Sequence, residues 1–150
     1  MNQLQRLNGL KAYFETALQA GNTERTVLGL ENVGVAPDRI PVWGRIVLHR
    51  GDPGDPQIDL SPVTYNYEHE IPLQITTIPD PDRGMSAAEI AVEILGIISA
   101  AILTDRTAGG VLDYLDGAAP SLDDIFTAGA QLTCDVEVTL VASYSTTSPL

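Results

Sequence analysis

Apolar residues recur at helical spacing in two parts of the chain. The first part is a stripe with spacings of three, four or seven residues, formed by Leu4, Leu7, Phe14 and Leu18. It predicts an amphipathic helix that ends near Gly21. The second part opens with Ser86 and Glu89, spaced as a capping box, and predicts a helix that runs to about Asp105. Because this second helix is apolar on almost every side, we expect it to be buried in the centre of the fold.

Alternation of apolar and polar residues predicts three strands. The runs 40–50, 65–76 and 132–144 each have the period of two residues that a strand with one buried face requires. Pro72 lies within the second run and has no N–H group for a sheet ladder, which favours an edge strand or a bulge at that position. In the third run, Cys134 has the same parity as the valines, so we expect a buried thiol.

The segments between these elements are rich in glycine and proline. Residues 51–62 contain three prolines, so we predict an exposed turn that extends as a Pro-rich hairpin arm. Residues 22–39 predict a loop with a short strand near 26–30, and residues 111–116 predict a short helical turn. The combined pattern predicts an α+β fold with a mixed, mainly antiparallel sheet and two helices packed on one face.

Composition narrows the class of protein. A chain of 150 residues can bury one hydrophobic core, so residues 1–150 should form a single domain. The formal net charge is −12, from 20 acidic and 8 basic residues. Proteins hold DNA largely through Lys and Arg, so this balance disfavours direct DNA binding, and we expect salt to favour any assembly of subunits.

The cysteine content, the first residues and the most apolar stretch of the chain indicate where the protein is made. The single Cys134 cannot form an intramolecular disulfide, and residues 1–10 lack the cationic start and apolar run of a signal peptide. The most apolar stretch, residues 94–103, is shorter than the ~20 residues that a membrane span needs. We therefore expect synthesis in the cytoplasm and no membrane segment.

Residue patterns of common catalytic and metal sites do not occur in the sequence. His49 and His69 have no companion at metal-ligand spacing, and His69 is expected to be a partly exposed strand residue. Acidic pairs such as Asp123 and Asp124 lack the spacing of a calcium loop and are expected to be solvated turn residues. Neither a phosphate-binding glycine loop nor a GxSxG elbow is found. We therefore expect no catalytic residues, no metal and no cofactor.

Three stretches of the chain resemble a family of short phage and prophage proteins, the tail terminators of long-tailed phages and gene-transfer particles. They are RGDPGDP with the following LSPVTYNYEHE, then DRTAGGVLDYLD, and the final VTLVASYSTTSPL. Together they cover much of residues 45–150, in family order. The resemblance implies a virion structural protein and not an enzyme. Its subunits would form a homohexameric ring at the head-proximal end of the tail, which caps the tail tube and joins it to the neck.

The resemblance also implies partners and surfaces. The partners would be further copies of the chain, the tail tube protein and the neck or stopper protein, with DNA only passing through the channel. The residues assigned to assembly contacts are Arg50, Asp52, Asp55, Tyr65, Tyr67, Pro149 and Leu150. The outward acidic residues assigned to the channel wall are Glu68, Glu70, Asp135 and Glu137. Carboxylates suit such a wall because they repel passing phosphates.

Two other functions remain open at this point. One is a neck or head-to-tail connector subunit, which would share the same architecture. The other is a small acyl-transfer enzyme. Electron microscopy would separate them, because a terminator forms rings whereas the enzyme would be a monomer that turns over a thioester.

Overall fold

The described part of the chain is one sheet of six strands with two helices on one face, which confirms the predicted α+β fold. The computed structural model describes residues 2–29, 40–118 and 133–148. The helices are α1 (Gln3–Gln19) and α2 (Ala87–Thr104). The strands are β1 (Val27–Gly29), β2 (Arg45–Leu48), β3 (Gln57–Leu60), β4 (Val63–Thr77), β5 (Tyr114–Gly117) and β6 (Cys134–Thr146).

The sheet has the order β1-β2-β4-β6-β5, and β3 pairs with the early part of β4. β1 and β2 are parallel, and the other pairs are antiparallel. The longest ladder joins β4 to β6 without a break, from Tyr65 opposite Thr146 to Thr77 opposite Cys134. This long pair is the framework that positions the remaining strands and both helices.

The core lies between the helices and one face of the sheet. Alternate residues of the two long strands point into it, namely Tyr67, His69, Ile71, Leu73 and Ile75 of β4 and Cys134, Val136, Val138, Leu140, Ala142 and Tyr144 of β6. This period of two confirms both predicted strands and the buried thiol of Cys134. Each helix begins with a capping box, formed by Asn2 and Gln5 in α1 and by the predicted Ser86 and Glu89 in α2.

The first two strands are short. β1 confirms the strand predicted near residues 26–30. β2 covers only four of the residues in the predicted 40–50 strand. The chain turns just before it, where the Gly44 N–H donates to the Pro41 carbonyl at 3.0 Å and Gly44 has a φ of +93°. A positive φ interrupts the extended backbone that a longer strand would need.

Pro72 lies between β2 and β6, so the prediction of an edge strand is wrong. The alternative prediction of a bulge holds for the neighbouring segment, because Asp52 and not Gly51 pairs with Glu70, which leaves residues 50 and 51 together opposite Ile71. β4 is flanked by β2 and β6, and its register passes Pro72 opposite Thr139 without an extra residue. The Pro72 carbonyl accepts a hydrogen bond from the His49 N–H at 3.0 Å, and His49 follows directly after β2, which ends at Leu48. The N and C=O of one residue point to the same side in an antiparallel pair, so the proline nitrogen also faces His49. A missing N–H costs little where the ladder already ends.

The extended Pro-rich arm predicted for residues 51–62 is not confirmed. Asp52 exchanges two backbone hydrogen bonds of 2.9 Å with Glu70, and β3 forms a hairpin with β4. The segment therefore runs along β4, although all four side chains of β3 are exposed. The helical turn predicted for residues 111–116 is also wrong, because β5 pairs with β6 there.

α2 is not buried on all sides, which corrects the expectation of a central buried helix. One side packs in the core, but Val92 is 52% exposed and Leu103 is 68% exposed. Within the described residues, α2 is the one helix long and apolar enough to cross a membrane, judged by length and composition alone, and 39% of that window is buried. Packing among the described residues leaves its outer apolar side uncovered.

Candidate functional site

The face of the sheet opposite the helices carries all four acidic residues predicted for the channel wall. They are exposed and share this face, with Glu68 and Glu70 on β4 and Asp135 and Glu137 on β6. Glu137 lies opposite Gln74, which is six residues and ~20 Å along β4 from Glu68. The four carboxylates therefore occupy one surface, called here the open face, in two groups.

Further charges on the open face are mostly negative. The strand register adds Asp59 of β3 and, on the cationic side, Arg45 of β2. Asp116 of the edge strand β5 has the same parity, but it also lines the space between α2 and the β5–β6 edge, so it belongs to the rim of the open face. Asp116 is paired with Arg106 at 3.4 Å. Among the described residues, no ion-pair partner is found for Glu68, Glu70 and Glu137. The open face therefore projects uncompensated negative charge.

Within the described residues, Asp135 is held by neighbouring side chains, unlike Glu68, Glu70 and Glu137. Its two oxygens each accept a hydrogen bond from the Gln74 amide at 3.2 Å. The Thr76 hydroxyl donates to it as well, at 3.4 Å. Replacing Asp135 would thus disturb local structure as well as charge, whereas Glu68 and Glu70 can be changed for their charge alone.

The predicted assembly residues Arg50, Asp52 and Asp55 lie together on an exposed segment after β2. This segment is pressed against β4 at Gly51, which has a φ of +67°. A Cβ atom at Gly51 would lie 1.8 Å from the Glu70 carbonyl oxygen. The close approach requires glycine, and it fixes the position of the three exposed side chains around it.

The other predicted assembly residues differ in how much surface they present. Tyr65 is half-buried near the start of β4. Tyr67 is only 6% exposed and stacks on Tyr144, with 5.5 Å between the ring centroids. Tyr67 therefore has almost no side-chain surface to offer a partner, which does not fit its assignment to an interface. Pro149 and Leu150 lie outside the described residues.

His69 has a role that the sequence analysis missed, since it was expected to be partly exposed and is 2% exposed. Its Nε2 faces the Arg50 carbonyl oxygen, and its Nδ1 lies 2.9 Å from the Tyr144 hydroxyl. A carbonyl can only accept, so Nε2 carries the proton and donates, and Nδ1 accepts from the tyrosine. Its parity with Ile71 on the buried side of β4 was the available signal.

The environment keeps His69 and Tyr144 in their neutral forms. Burial lowers the pKa of His69, against the opposing effects of the Arg50 carbonyl and a nearby carboxylate. Burial also raises the pKa of Tyr144 to about 12, although the Arg6 guanidinium opposes this shift. The His69 Nε2 bond attaches Arg50 to β4, and the Tyr144 hydroxyl on β6 holds the other nitrogen of the same ring. The pair thus positions the exposed segment.

Surfaces are the main candidates for function in the described part of the chain. Within residues 2–29, 40–118 and 133–148, no group of three or more His, Cys, Asp or Glu side chains could hold a metal ion. The open face and the segment at Arg50 to Asp55 are where exposed charge is concentrated. Exposed charge of this kind can attract or repel other macromolecules.

Two comparisons with known proteins were negative. No protein-family model matches the chain. No curated protein is significantly similar to it. The surfaces described above are therefore the basis for a proposed function.

Proposed function

We propose that the protein is a phage tail terminator, a structural subunit that assembles into a homohexameric ring at the head-proximal end of a long tail. In this role the ring caps the tail tube protein and joins it to the neck or stopper protein. The observation that carries the proposal is the open face, where Glu68, Glu70, Asp135 and Glu137 are exposed together.

An acidic sheet suits the wall of a DNA channel. Lys and Arg side chains in such a wall would hold phosphates through counterion release, whereas carboxylates repel them and allow passage with little friction. Glu68, Glu70 and Glu137 have no ion-pair partner among the described residues, so their charge is not neutralised by that part of the subunit. With the open face toward the channel, the helices lie on the outer side of the ring.

The same charge opposes assembly. Each subunit carries a formal charge of −12, so neighbouring copies repel one another over long distances. Salt shortens this repulsion to a Debye length of ~10 Å at 0.1 M ionic strength. Assembly therefore needs salt together with contacts that are apolar and free of carboxylates.

Negative-stain electron microscopy of the purified chain at low and high salt tests the proposal. We expect closed rings with a central opening, and a larger fraction of rings at high salt. Monomers under all salt and protein concentrations would contradict the proposed function.

A neck connector subunit would also form rings, so a second measurement separates the two roles. Rings of a terminator should bind the ends of tubes that are assembled from purified tail tube protein and stop their growth. Rings that ignore tube ends but bind the portal side of the neck would favour the connector.

A further inference from the structure

The β3–β4 hairpin has one apolar side and one polar side. The ladder pairs Leu60 with Val63 and Ile58 with Tyr65, so these four side chains lie on the same side, called here the hairpin face. The opposite side consists of Gln57, Asp59, Thr64 and Asn66. On the hairpin face, Leu60 is 78% exposed, Ile58 51% and Val63 47%. Three adjacent aliphatic side chains are thus open to solvent.

The hairpin face continues the core side of β4 beyond the layer that covers it. Val63 and Tyr65 have the same parity as Ile71, which is fully buried under the helices. β6 ends at Thr146, opposite Tyr65, and past this point β3 is the one strand of the described residues that flanks β4. The apolar side of the strand therefore extends past its cover, and a contiguous exposed apolar surface of this kind indicates an interaction site.

A second apolar surface lies between α2 and the β5–β6 edge of the sheet. This α2 groove has a volume of about 470 Å³, within the range of about 300–1,000 Å³ typical of binding pockets. Its lining includes Val92, Gly96 and Leu103 of α2 and Val138 and Leu140 of β6. A Cβ atom at Gly96 would meet nothing within 4 Å. As far as the structure describes the chain, the groove is therefore open for the side chains of a partner.

The hairpin face cannot reach the α2 groove of its own subunit. Leu140 of the groove lies opposite Ile71, which is eight residues and ~26 Å along β4 from Val63. β4 is one continuous strand in an unbroken ladder, so this separation is fixed. Two apolar surfaces that cannot meet within one subunit can meet between neighbours.

The charge distribution favours these two surfaces as the place where copies meet. The net charge of −12 means that most contacts between copies bring carboxylates together. The hairpin face has no charged side chain. Among the described lining residues of the groove, the one acid is Asp116, and it is paired with Arg106 at 3.4 Å. A contact here buries apolar area without adding like-charge repulsion.

We propose that the hairpin face of one subunit docks into the α2 groove of a second copy of the same chain. This inference rests on the proposed function, because it supplies the contact between neighbouring subunits of the ring. The contact joins two different surfaces, so it is head-to-tail, and its repetition closes a ring where the rotation between subunits allows. Leu60, the most exposed side chain of the hairpin face, is the anchor of the contact.

Two single variants test the contact. Leu60→Glu places a carboxylate on the hairpin face, and Gly96→Glu places one in the α2 groove. Both positions are open in the subunit, and glutamate forms helix more readily than glycine, so both chains should fold. In sedimentation velocity at high salt, each variant should associate at least tenfold more weakly than the wild-type chain, a change of ~1.4 kcal/mol.

Mixing the two variants tests whether the contact is head-to-tail. The Leu60→Glu chain keeps an intact groove, and the Gly96→Glu chain keeps an intact hairpin face. An equimolar mixture should therefore form one-to-one heterodimers and nothing larger. If hairpin faces pair with each other instead, the Gly96→Glu chain will associate on its own as the wild-type chain does, and the proposal fails.

Matched controls carry the same added charge outside the two surfaces. Gln57→Glu lies on the polar side of the hairpin, and Ala100→Glu lies on α2 outside the groove lining, with both positions exposed. Both chains should associate as the wild-type chain does. Circular dichroism should show the same helix and strand content for all four variants.

The outcomes separate this inference from the proposed function. If the Leu60→Glu and Gly96→Glu chains both form rings as readily as the wild-type chain, the docking contact is overturned. The proposed ring function is then unaffected. If the wild-type chain associates into open chains and not rings, and both variants weaken this association, the docking contact is supported. The proposed terminator function is then contradicted. A third outcome is a wild-type chain that does not self-associate but binds phosphatidylcholine vesicles, with Gly96→Glu abolishing this binding. It overturns the docking contact and indicates that the α2 groove binds a lipid surface.

Discussion

A buried imidazole holds the exposed segment after β2 in place. His69 donates to the Arg50 carbonyl and accepts from the Tyr144 hydroxyl, and only the neutral ring with a proton on Nε2 can do both. Sequence parity placed Cys134 and the outward acidic residues correctly. It could have placed His69 as well, but the polar ring suggests a surface position until its partners are known, and these lie 19 and 75 residues away along the chain, at the Arg50 carbonyl and the Tyr144 hydroxyl.

Replacing this histidine should change how stability depends on pH. We expect His69→Gln to lower the free energy of unfolding by ~1–3 kcal/mol at neutral pH, because buried hydrogen bonds are lost. The pKa of His69 in the folded protein lies below its unfolded value of ~6.5. Its contribution is therefore complete above pH ~6.5 and is lost as the pH falls through the lowered pKa. Urea unfolding across this range measures the effect.

The exposed His49 provides the matched control for this experiment. His49→Gln replaces an exposed ring and should leave the unfolding free energy nearly unchanged. A pH profile in His69→Gln that coincides with that of the wild-type chain would show that the buried imidazole is not the group responsible.

Elements with several turns or alternations could be predicted from sequence, whereas two of the short strands, β3 and β5, could not. α1, α2, β4 and β6 each contain enough repeats to define a period. β3 and β5 have four residues each, and they are strands because β4 and β6 present backbone groups to pair with. The uncovered side of α2 was also missed, because a helix that is apolar all round does not indicate which side lacks a partner.

A pair of glycines tests how tightly the segment after β2 is packed on β4. Gly51 and Gly54 have nearly equal φ values of +67° and +66°, but a Cβ atom would clash with the Glu70 carbonyl only at Gly51. Gly54→Ala should cost ~1 kcal/mol of stability from the positive φ alone. Gly51→Ala should cost clearly more, because the backbone must also move. Equal losses in chemical unfolding would mean that the segment does not press on β4.

Over the whole molecule, charge and apolar surface are separated. The open face of the sheet carries the uncompensated carboxylates, while exposed aliphatic side chains gather on the hairpin face and in the α2 groove. A subunit of this kind repels phosphate at the open face, and it presents two apolar surfaces, the hairpin face and the α2 groove, to neighbouring subunits. This division could not be derived from a net charge of −12, because the total does not say where the charge lies.

Reversing charge on the open face should make assembled rings bind DNA. The double variant Glu68→Lys with Glu70→Lys should bind duplex DNA with an affinity that falls as salt rises, and should slow DNA ejection from particles that contain it. Glu24→Lys with Asp82→Lys makes the same charge change at exposed positions off the sheet and serves as the control. Equal DNA binding by both double variants in a fluorescence anisotropy titration would argue that the position of the charge does not matter.

The central claim is that the open face lines the channel of a ring. A cryo-electron microscopy reconstruction of the assembled wild-type protein tests it most directly, because the helices and the sheet of each subunit can be distinguished in the map. The account predicts a closed ring in which β4 and β6 face the opening, Glu68 and Glu70 point toward the axis, and α2 lies at the boundary between subunits. A ring with helices lining the opening and the open face on its outer surface would contradict the account.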